Sequence, residues 1–479
     1  MNEIPDYESA PKPGSIRYWL LLISAFSQLI ALIITWSLWN VRTEVPHLPV
    51  FDLGIPQISW AWILVATLAV IPFRPKEGVW LHFAVMLVAC LFDQMRTQPQ
   101  FLATWILMFA LLKRSYQNYA RWFLCSLWIW AGLHKAISPD WNSYQAWKMT
   151  RAIGLDPETW YIVVGIAVAA TEILVGLLGW WKPKWGAVGC VMLHAGILIY
   201  LSPLFRNWNY SVFPWNLATA IVGFWILWTC DARPKVLHRA LFAIFMVLPA
   251  GFYVGCVDHG YSHVLYSDCT PLGLVTRTDG SVESIDGWGE LNIPFPCERR
   301  TLRQRFEAVA EDGDRLHILD PRPALDDLHF VKRGGESQLI DRDEFFAENS
   351  QNIAGVELDF RRHRFALELA GARMLKRTKQ TMIYAIEFKP EFFEVDQLKH
   401  LRFLPNIEEV QLSKTDITDE DLKLLLDLPK LRAIGLDQTG ITDHGLEILK
   451  RSKTLKNIEA KDSQISLETL VDFLDSRNP

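Results

Sequence analysis

LHRALFAIFMVLPAGFYVGCVD, residues 237–258, is the stretch where this chain changes solvent. Up to Gly255 the sequence is built of apolar runs separated by short, basic, proline-containing breaks. After about Asp258 those runs stop and charge becomes dense. Twenty of the 21 tryptophans lie between Trp19 and Trp228. The mean hydropathy of +0.12 is therefore the average of two unlike halves. A length of 479 residues suggests about three units. The net charge of −5, without a basic stripe, gives no support to a nucleic-acid partner.

A spanning helix needs about 20 apolar residues, because the hydrocarbon core is about 30 Å thick. Tyr18–Trp39, Ile58–Phe73, Trp160–Trp181, Trp185–Pro203, Val212–Cys230 and Leu237–Gly255 fit that requirement, and Trp122–Ile137 is a shorter candidate. Val79–Phe92 and Phe101–Leu112 are short, and read either as spans extended by polar flanks or as a re-entrant pair. The expectation is about nine spans, with eight as the alternative.

Lys and Arg decide orientation. With the N-terminus inside, the inner segments carry twelve: Lys12, Arg17, Arg74, Lys76, Lys113, Arg114, Arg121, Lys182, Lys184, Arg233, Lys235 and Arg239. The outer loops carry six: Arg42, Arg96, Lys135, Lys148, Arg151 and Arg206. An odd span count then places everything beyond Gly255 outside the cytoplasm. The first span is long and lacks a small-x-small site after it, so it does not read as a cleaved signal. Of the seven cysteines, Cys256, Cys269 and Cys297 would meet an oxidising compartment, with Cys256–Cys269 the first pairing to consider. No cysteine–histidine spacing supports a zinc site, and no metal is expected.

The expected organisation is a cytoplasmic tail (1–17), a transmembrane helical domain (18–257), a small extracytoplasmic α+β module (258–350) and a repeat array with its N-terminal cap (351–479). In the module, Leu274–Thr278 and Ser281–Ile285 flank Asp279-Gly280 as a hairpin. Thr301–Val309 reads as a helix ending before Gly313, and Leu316–Leu319 as a strand. Arg299, Arg300, Arg303 and Arg305 form either an anion or headgroup patch or a solvated helix face.

From Ile383 the chain repeats every 24 residues. Ile407, Val410, Leu412, Ile417 and Leu422 recur as Leu431, Ile434, Leu436, Ile441 and Leu446, then as Leu455, Ile458, Ala460, Ile465 and Leu470. One period earlier stand Ile383, Ile386, Phe388, Phe393 and Leu398. Thr418-Asp419 and Thr442-Asp443 are placed to cap helices. The spacing resembles bacterial leucine-rich repeats, an α/β solenoid in which each strand–turn–helix unit buries its apolar face only by stacking. Val356, Leu358 and Phe360 alternate as a strand and Arg364–Arg377 reads as a helix, together capping the open end. Glu409, Gln411, Ala433, Gly435 and Glu459 are the expected exposed strand positions, available to a protein partner.

Ionisable groups inside the helical half are costly and normally face a partner or a cavity. Glu172 lies midway along Trp160–Trp181, and His194 midway along Trp185–Pro203. His134 and Lys135 close the span that begins at Trp122. Each has a bland alternative: Lys135 snorkelling to the interface, His194 bonded to a neighbouring carbonyl. His82 and Asp93 are further, weaker candidates.

The stretch Trp130-Ala131-Gly132-Leu133-His134-Lys135, then Asp140-Trp141, resembles the A-G-x-K-K-x-x-x-D-W element of vitamin K-dependent gamma-carboxylases, members of the HTTM (horizontally transferred transmembrane) family. His194 and Asn207-Trp208-Asn209-Tyr210-Ser211-Val212 are similar to that family's later histidine span and helix start. The departures are His134 in place of the first lysine and one extra residue before Asp-Trp. The resemblance covers about residues 18–255 and implies Lys135 as a base acting on reduced vitamin K or another quinol. Lys135, His134, Glu172 and His194 are then the expected catalytic group.

Three functions follow. A carboxylase-like membrane enzyme, acting on a quinol-type or lipid-soluble substrate, requires those four groups to converge. A membrane-anchored leucine-rich-repeat binding or scaffold protein predicts separated polar groups. A transporter would need a continuous polar path, to which so few mid-span charges give little support.

Overall fold

The computed structural model describes residues 10–42, 48–50, 58–138, 141–204, 209–230, 236–267, 269–278, 282–285, 291–341, 344–345, 367, 372–376, 383–404 and 407–477. The chain divides into two compact units. One comprises Met1–Pro271 with Asp286–Ala308 and Asp320–Asp326; the other comprises Leu272–Ile285, Val309–Leu319 and Asp327–Pro479.

In the first unit the apolar runs become helices α1 (Ile16–Ile34), α2 (Trp36–Trp39), α3 (Trp60–Val70), α4 (Pro75–Phe92), α5 (Pro99–Leu112) and α6 (Arg114–Ile137). They continue as α7 (Ala146–Ala152), α8 (Pro157–Trp181), α9 (Pro183–Leu201), α10 (Phe213–Ala218), α11 (Phe224–Thr229) and α12 (Val236–Val247). The breaks are proline-containing for a local reason: α4, α5, α8 and α9 each begin on proline, whose missing N–H is not needed there. A wide turn at Thr219–Gly223 joins α10 to α11, and Leu248–Val254 continues α12 as a tighter helix.

Among the described residues, five helical segments are long and apolar enough to cross a membrane: Ile16–Ile34, Pro75–Phe92, Thr159–Trp181, Pro183–Leu201 and Tyr210–Thr229. Trp60–Val70, Pro99–Leu112 and Phe242–Val254 are shorter apolar helices. The run Ile58–Phe73 thus yields an 11-residue helix, while Val79–Phe92, which looked short, lies within an 18-residue one. Trp122–Ile137 is the last two-thirds of the 24-residue α6, whose first third carries Arg114 and Arg121.

α6 packs most extensively on α8, and glycines set the approach. A Cβ added at Gly132 would stand 2.5 Å from the Ala169 carbonyl oxygen, and one at Gly176 would stand 2.9 Å from that of Cys125. In lipid, where helices gain little from hydrophobic association, such close packing is a main source of attraction. Arg121 closes the other end, its Nε donating to the Gly179 carbonyl at 3.0 Å in the last turn of α8. α6 also reaches α12, through Ser126 Oγ to the Phe245 carbonyl at 2.8 Å and Trp130 Nε1 to that of Met246 at 3.0 Å.

α13 (Arg299–Val309) runs slightly longer than Thr301–Val309. The second unit holds two five-stranded sheets. The first contains β1 (Leu272–Thr276), β2 (Val282–Ile285), β3 (Arg315–Leu319), β4 (Leu328–Arg333) and β5 (Glu336–Ile340), in the order β2-β1-β3-β4-β5 and antiparallel throughout. Thr276 pairs with Val282 across the expected hairpin, whose Asp279-Gly280 turn lies outside the described residues.

The second sheet contains β6 (Arg373–Lys376), β7 (Ile383–Glu387), β8 (Glu409–Gln411), β9 (Ala433–Gly435) and β10 (Asn457–Glu459). From β7 to β10 the strands are parallel, and Ile386, Val410, Ile434 and Ile458 stand side by side, each 24 residues from the last. Leu412, Leu422, Leu436 and Leu446 are fully buried behind them, whereas Ala460, Ile465 and Leu470 of the last period are partly buried. The other elements are a tight helix at Asp419–Leu425, α14 (Asp443–Leu449) and α15 (Leu467–Arg477).

The Thr-Asp pairs do two jobs. Thr442 Oγ1 accepts from His444 N, capping its own helix, while the preceding period's Asp419 accepts from Thr442 N at 2.9 Å and Thr442 Oγ1 at 2.6 Å. One period on, Asp443 accepts from Ser466 N at 2.7 Å. The short carboxylate thereby stitches successive periods together.

Several expectations are corrected. Arg373–Lys376, the end of the expected Arg364–Arg377 helix, is strand β6, antiparallel to β7; pairing there covers a sheet edge that a helix would leave open. Leu367 apart, the rest of that segment and Val356–Phe360 lie outside the described residues. The expected Cys256–Cys269 disulfide is not formed; Cys256 is exposed while Cys269 is buried, its Sγ 3.5 Å from the His134 carbonyl oxygen. Three members of the supposed arginine patch pair with acids: Arg299 with Asp320, Arg300 with Asp258 and Arg303 with Glu307. Gly435 is buried beneath the Gln411 amide, because that side chain lies across the sheet where a Cβ would stand.

Candidate functional site

Lys135 lies in the last turn of α6 and Glu172 two-thirds along α8, and the glycine-lined crossing brings them together. Lys135 Nζ is 2.9 and 3.1 Å from the two Glu172 oxygens, with the side chains 5% and 8% exposed. Its remaining acceptors are the Leu265 carbonyl at 3.0 Å and the Ala131 carbonyl at 3.4 Å. The Trp141 ring lies 5.3 Å away. Lys135 is therefore not a snorkelling side chain. An ammonium has three protons to donate, and all find acceptors within the chain.

His134, one residue earlier, points elsewhere. Its Nε2 is 2.8 Å from the Ser262 carbonyl, which can only accept, so this nitrogen carries the proton. Nδ1 faces the Tyr253 hydroxyl at 2.8 Å, which donates to the neutral ring. The Ser262 and Leu265 carbonyls belong to residues 258–267, a strap just beyond the last apolar run. Ser262, His263, Val264, Ser267 and Cys269 are all buried. Its Tyr266 hydroxyl accepts from Asn209 Nδ2 at 2.8 Å.

His194 forms a third, separate set. The Trp128 indole can only donate, so His194 Nε2 accepts its N–H at 3.2 Å and the ring proton sits on Nδ1. Nδ1 donates to Asn216 Oδ1 at 2.7 Å, and Asn216 Nδ2 passes on to the Val212 carbonyl at 2.9 Å. The structure thus joins Lys135 to Glu172, sets His134 on the strap and Tyr253, and gives His194 to Trp128 and Asn216. His82 lies in a further set, with Thr67 Oγ1 at 2.8 Å from Nδ1 and the Gln28 amide at 3.4 Å from Nε2. Asp93 pairs with Arg42 and accepts from Met95 N at 3.1 Å. Asp140, Asn207 and Trp208 lie outside the described residues.

Beside the strap, a charged knot ties chain segments of the first unit. Glu298 accepts from His259 N at 2.6 Å and from Arg322 at 3.2 Å, while Arg322 forks onto Asp320 through two 2.7 Å bonds. Arg322 also donates to the Phe252 carbonyl at 3.2 Å and stacks over that ring. Burial would raise both carboxyls, but the His259 contacts, with Arg322, hold Glu298 below its ordinary range. Arg322 and Arg299 do the same for Asp320.

Sequence reasoning missed Tyr253, Asn216, Trp128 and the whole strap. The signal was weak but present: Asp258–Ser267 packs His259, His263, Tyr261 and Tyr266 into ten residues, too aromatic for a plain exposed linker.

Residues 103–212 match the family described as methylamine utilisation protein MauE, and the match covers well under half of the chain. This overturns the HTTM and gamma-carboxylase resemblance, whose motif stretch falls inside the matched region. The Ala-Gly part of that motif has a packing explanation, since Gly132 is required for the contact with Ala169. Neither a curated protein nor a solved structure matches the chain. Together with the five spans, the match identifies a multi-pass membrane protein whose α6–α8 centre is similar to MauE.

Proposed function

We propose that this protein is a membrane-anchored leucine-rich-repeat protein whose helical unit holds the repeats at the bilayer surface, where they bind a protein partner. The observation that carries this reading is the separation of the four polar groups into three sets, each with its hydrogen bonds met inside the chain. In it, Lys135, His134, Glu172 and His194 tie α6 to its neighbours rather than perform chemistry. The 24-residue parallel register supports the repeat assignment, with rows Ala385, Glu409, Ala433, Asn457 and Glu387, Gln411, Gly435, Glu459 on the strand face. The basic-residue count supports a cytoplasmic N-terminus, and with the odd span count of the sequence reading the repeats would face outside.

Photo-crosslinkers at Glu409 and Glu459 of the full-length protein in its membrane should trap one partner, and a crosslinker at Glu447 should not. Equal adducts at all three positions, or none, would remove the partner surface. Leu467→Cys, at an exposed site, should react with an impermeant maleimide on intact cells; labelling only after lysis would reverse the orientation.

A further inference from the structure

We propose that the groove between α8 and the end of α6 binds one acyl chain of a bilayer lipid that carries a free hydroxyl at its glycerol level. Ile162, Ile166, Ala169, Ala170 and Ile173 line it from α8, a spacing that puts all five on one face of the helix. Ala136 of α6 and Asn142, in the wide turn Trp141–Gln145, complete the wall. The two alanines make the hollow, because the isoleucines beside them stand up from the surface, Ile162 53% and Ile166 58% exposed. The hollow measures about 300 Å³. From Ile162 to Ile173 it follows α8 for about 16 Å, close to half the hydrocarbon thickness and so the depth of one leaflet. Thr159–Trp181 is long and apolar enough to span the membrane, and the exposed Val163 and Leu174 continue the same apolar surface along the flank of the groove. The bilayer is therefore what covers it.

Asn142 sets which lipid is preferred. Its Nδ2 donates to the Lys135, Ala136 and Ser138 carbonyls at 3.2, 3.1 and 3.0 Å, which fixes the nitrogen end of the amide. Among the described residues no donor bonds to Oδ1, which lies 3.5 Å from where a Cβ at Gly165 would stand. A neutral acceptor thus sits about one helical turn along the groove from Ile162. A hydroxyl at the glycerol level reaches that depth beside its own chain. A headgroup ammonium stands a phosphate further out and does not. Each such bond to an otherwise unmet amide oxygen adds affinity that an acyl chain alone lacks.

The probes are a 1-monoacylglycerol and the methyl ester of the same fatty acid, each with a mid-chain diazirine, photolysed with the full-length protein in nanodiscs. Adducts are measured by peptide mass spectrometry at Ile166–Ile173 and, as a reference, around Met192 of α9, which is 71% exposed. Relative to that reference, the monoacylglycerol should label the groove about threefold more than the ester does, or better, the margin that one net hydrogen bond supplies. Asn142→Leu should make the two probes equal. Ala170→Phe, at an exposed position that does not disturb the α6–α8 crossing, should fill the hollow and remove the excess with Met192 labelling unchanged. Equal labelling of the wild-type groove by both probes, or an excess that survives Ala170→Phe, would overturn the proposal. None of these outcomes bears on the repeat face.

Discussion

Replacing Glu172 with leucine leaves the Lys135 ammonium buried without its counter-charge, and the cost follows from its surroundings. Both Glu172 oxygens lie within 3.1 Å of Nζ, and the residues are 4% and 6% exposed, so water cannot replace them in place. The Leu265 and Ala131 carbonyls remain, but they are dipoles rather than charges. Removing one partner of a buried pair costs about 3–5 kcal/mol. At about 1.4 kcal/mol per tenfold, that is roughly 10²–10⁴ in the folding equilibrium. An ordinary interhelical hydrogen bond in a membrane contributes only about 0.6 kcal/mol on average, so the two cases are separable. The paired Lys135→Met/Glu172→Leu variant removes both charges and should lie within about 1 kcal/mol of wild type, or above it. Alkylation of the buried Cys125 and Cys190 thiols during graded denaturation in mild detergent measures all three proteins. A Glu172→Leu loss below about 1 kcal/mol, or a double variant as unstable as the single, would refute the idea that an uncompensated charge sets the cost.

Gly132→Val should destabilise the α6–α8 crossing by about 1–3 kcal/mol, since its Cβ would meet the Ala169 backbone, and thiol alkylation reads this too. Asp419→Ala removes both bonds to Thr442 and should cost about 0.5–2 kcal/mol, with faster amide exchange at Thr442 than in Asp419→Asn. Glu298 and Asp320 have depressed folded-state carboxyls, so their contribution is complete above the ordinary carboxylate range. It should be lost as pH falls through and below that range. Exchange at the His259 amide should therefore gain protection with rising pH only at the acid end, once the intrinsic rate is divided out. Arg322→Gln should flatten that dependence.

Much of the local structure was legible. Proline-opened helices follow from a missing N–H, and the 24-residue spacing reappears as a strand register because identical periods stack with identical offsets. Glu172 and Lys135 stood out individually because charge in an apolar run is expensive. Their pairing was less accessible: they lie 37 residues apart, and only the close approach at Gly132 and Gly176 joins them. The carboxylase-like motif misled because a tightly packed membrane helix also selects Ala and Gly. His194 looked like a fourth member because hydropathy gives depth but not azimuth, and its ring turns towards Trp128 and Asn216.

The sequence by itself determined that the first half is built of apolar, membrane-type helices and that the C-terminal strands recur every 24 residues, since both follow from local chemistry repeated along the chain. Only the tertiary structure decided which polar groups meet. It also decided that Arg373–Lys376 pairs as a strand, and that Ser262, His263, Val264 and Ser267, in a segment polar by composition, are buried. The physical reason is the same each time. A buried polar atom is stabilised by whichever partner the packing brings within 3 Å, and that partner can lie anywhere along the chain.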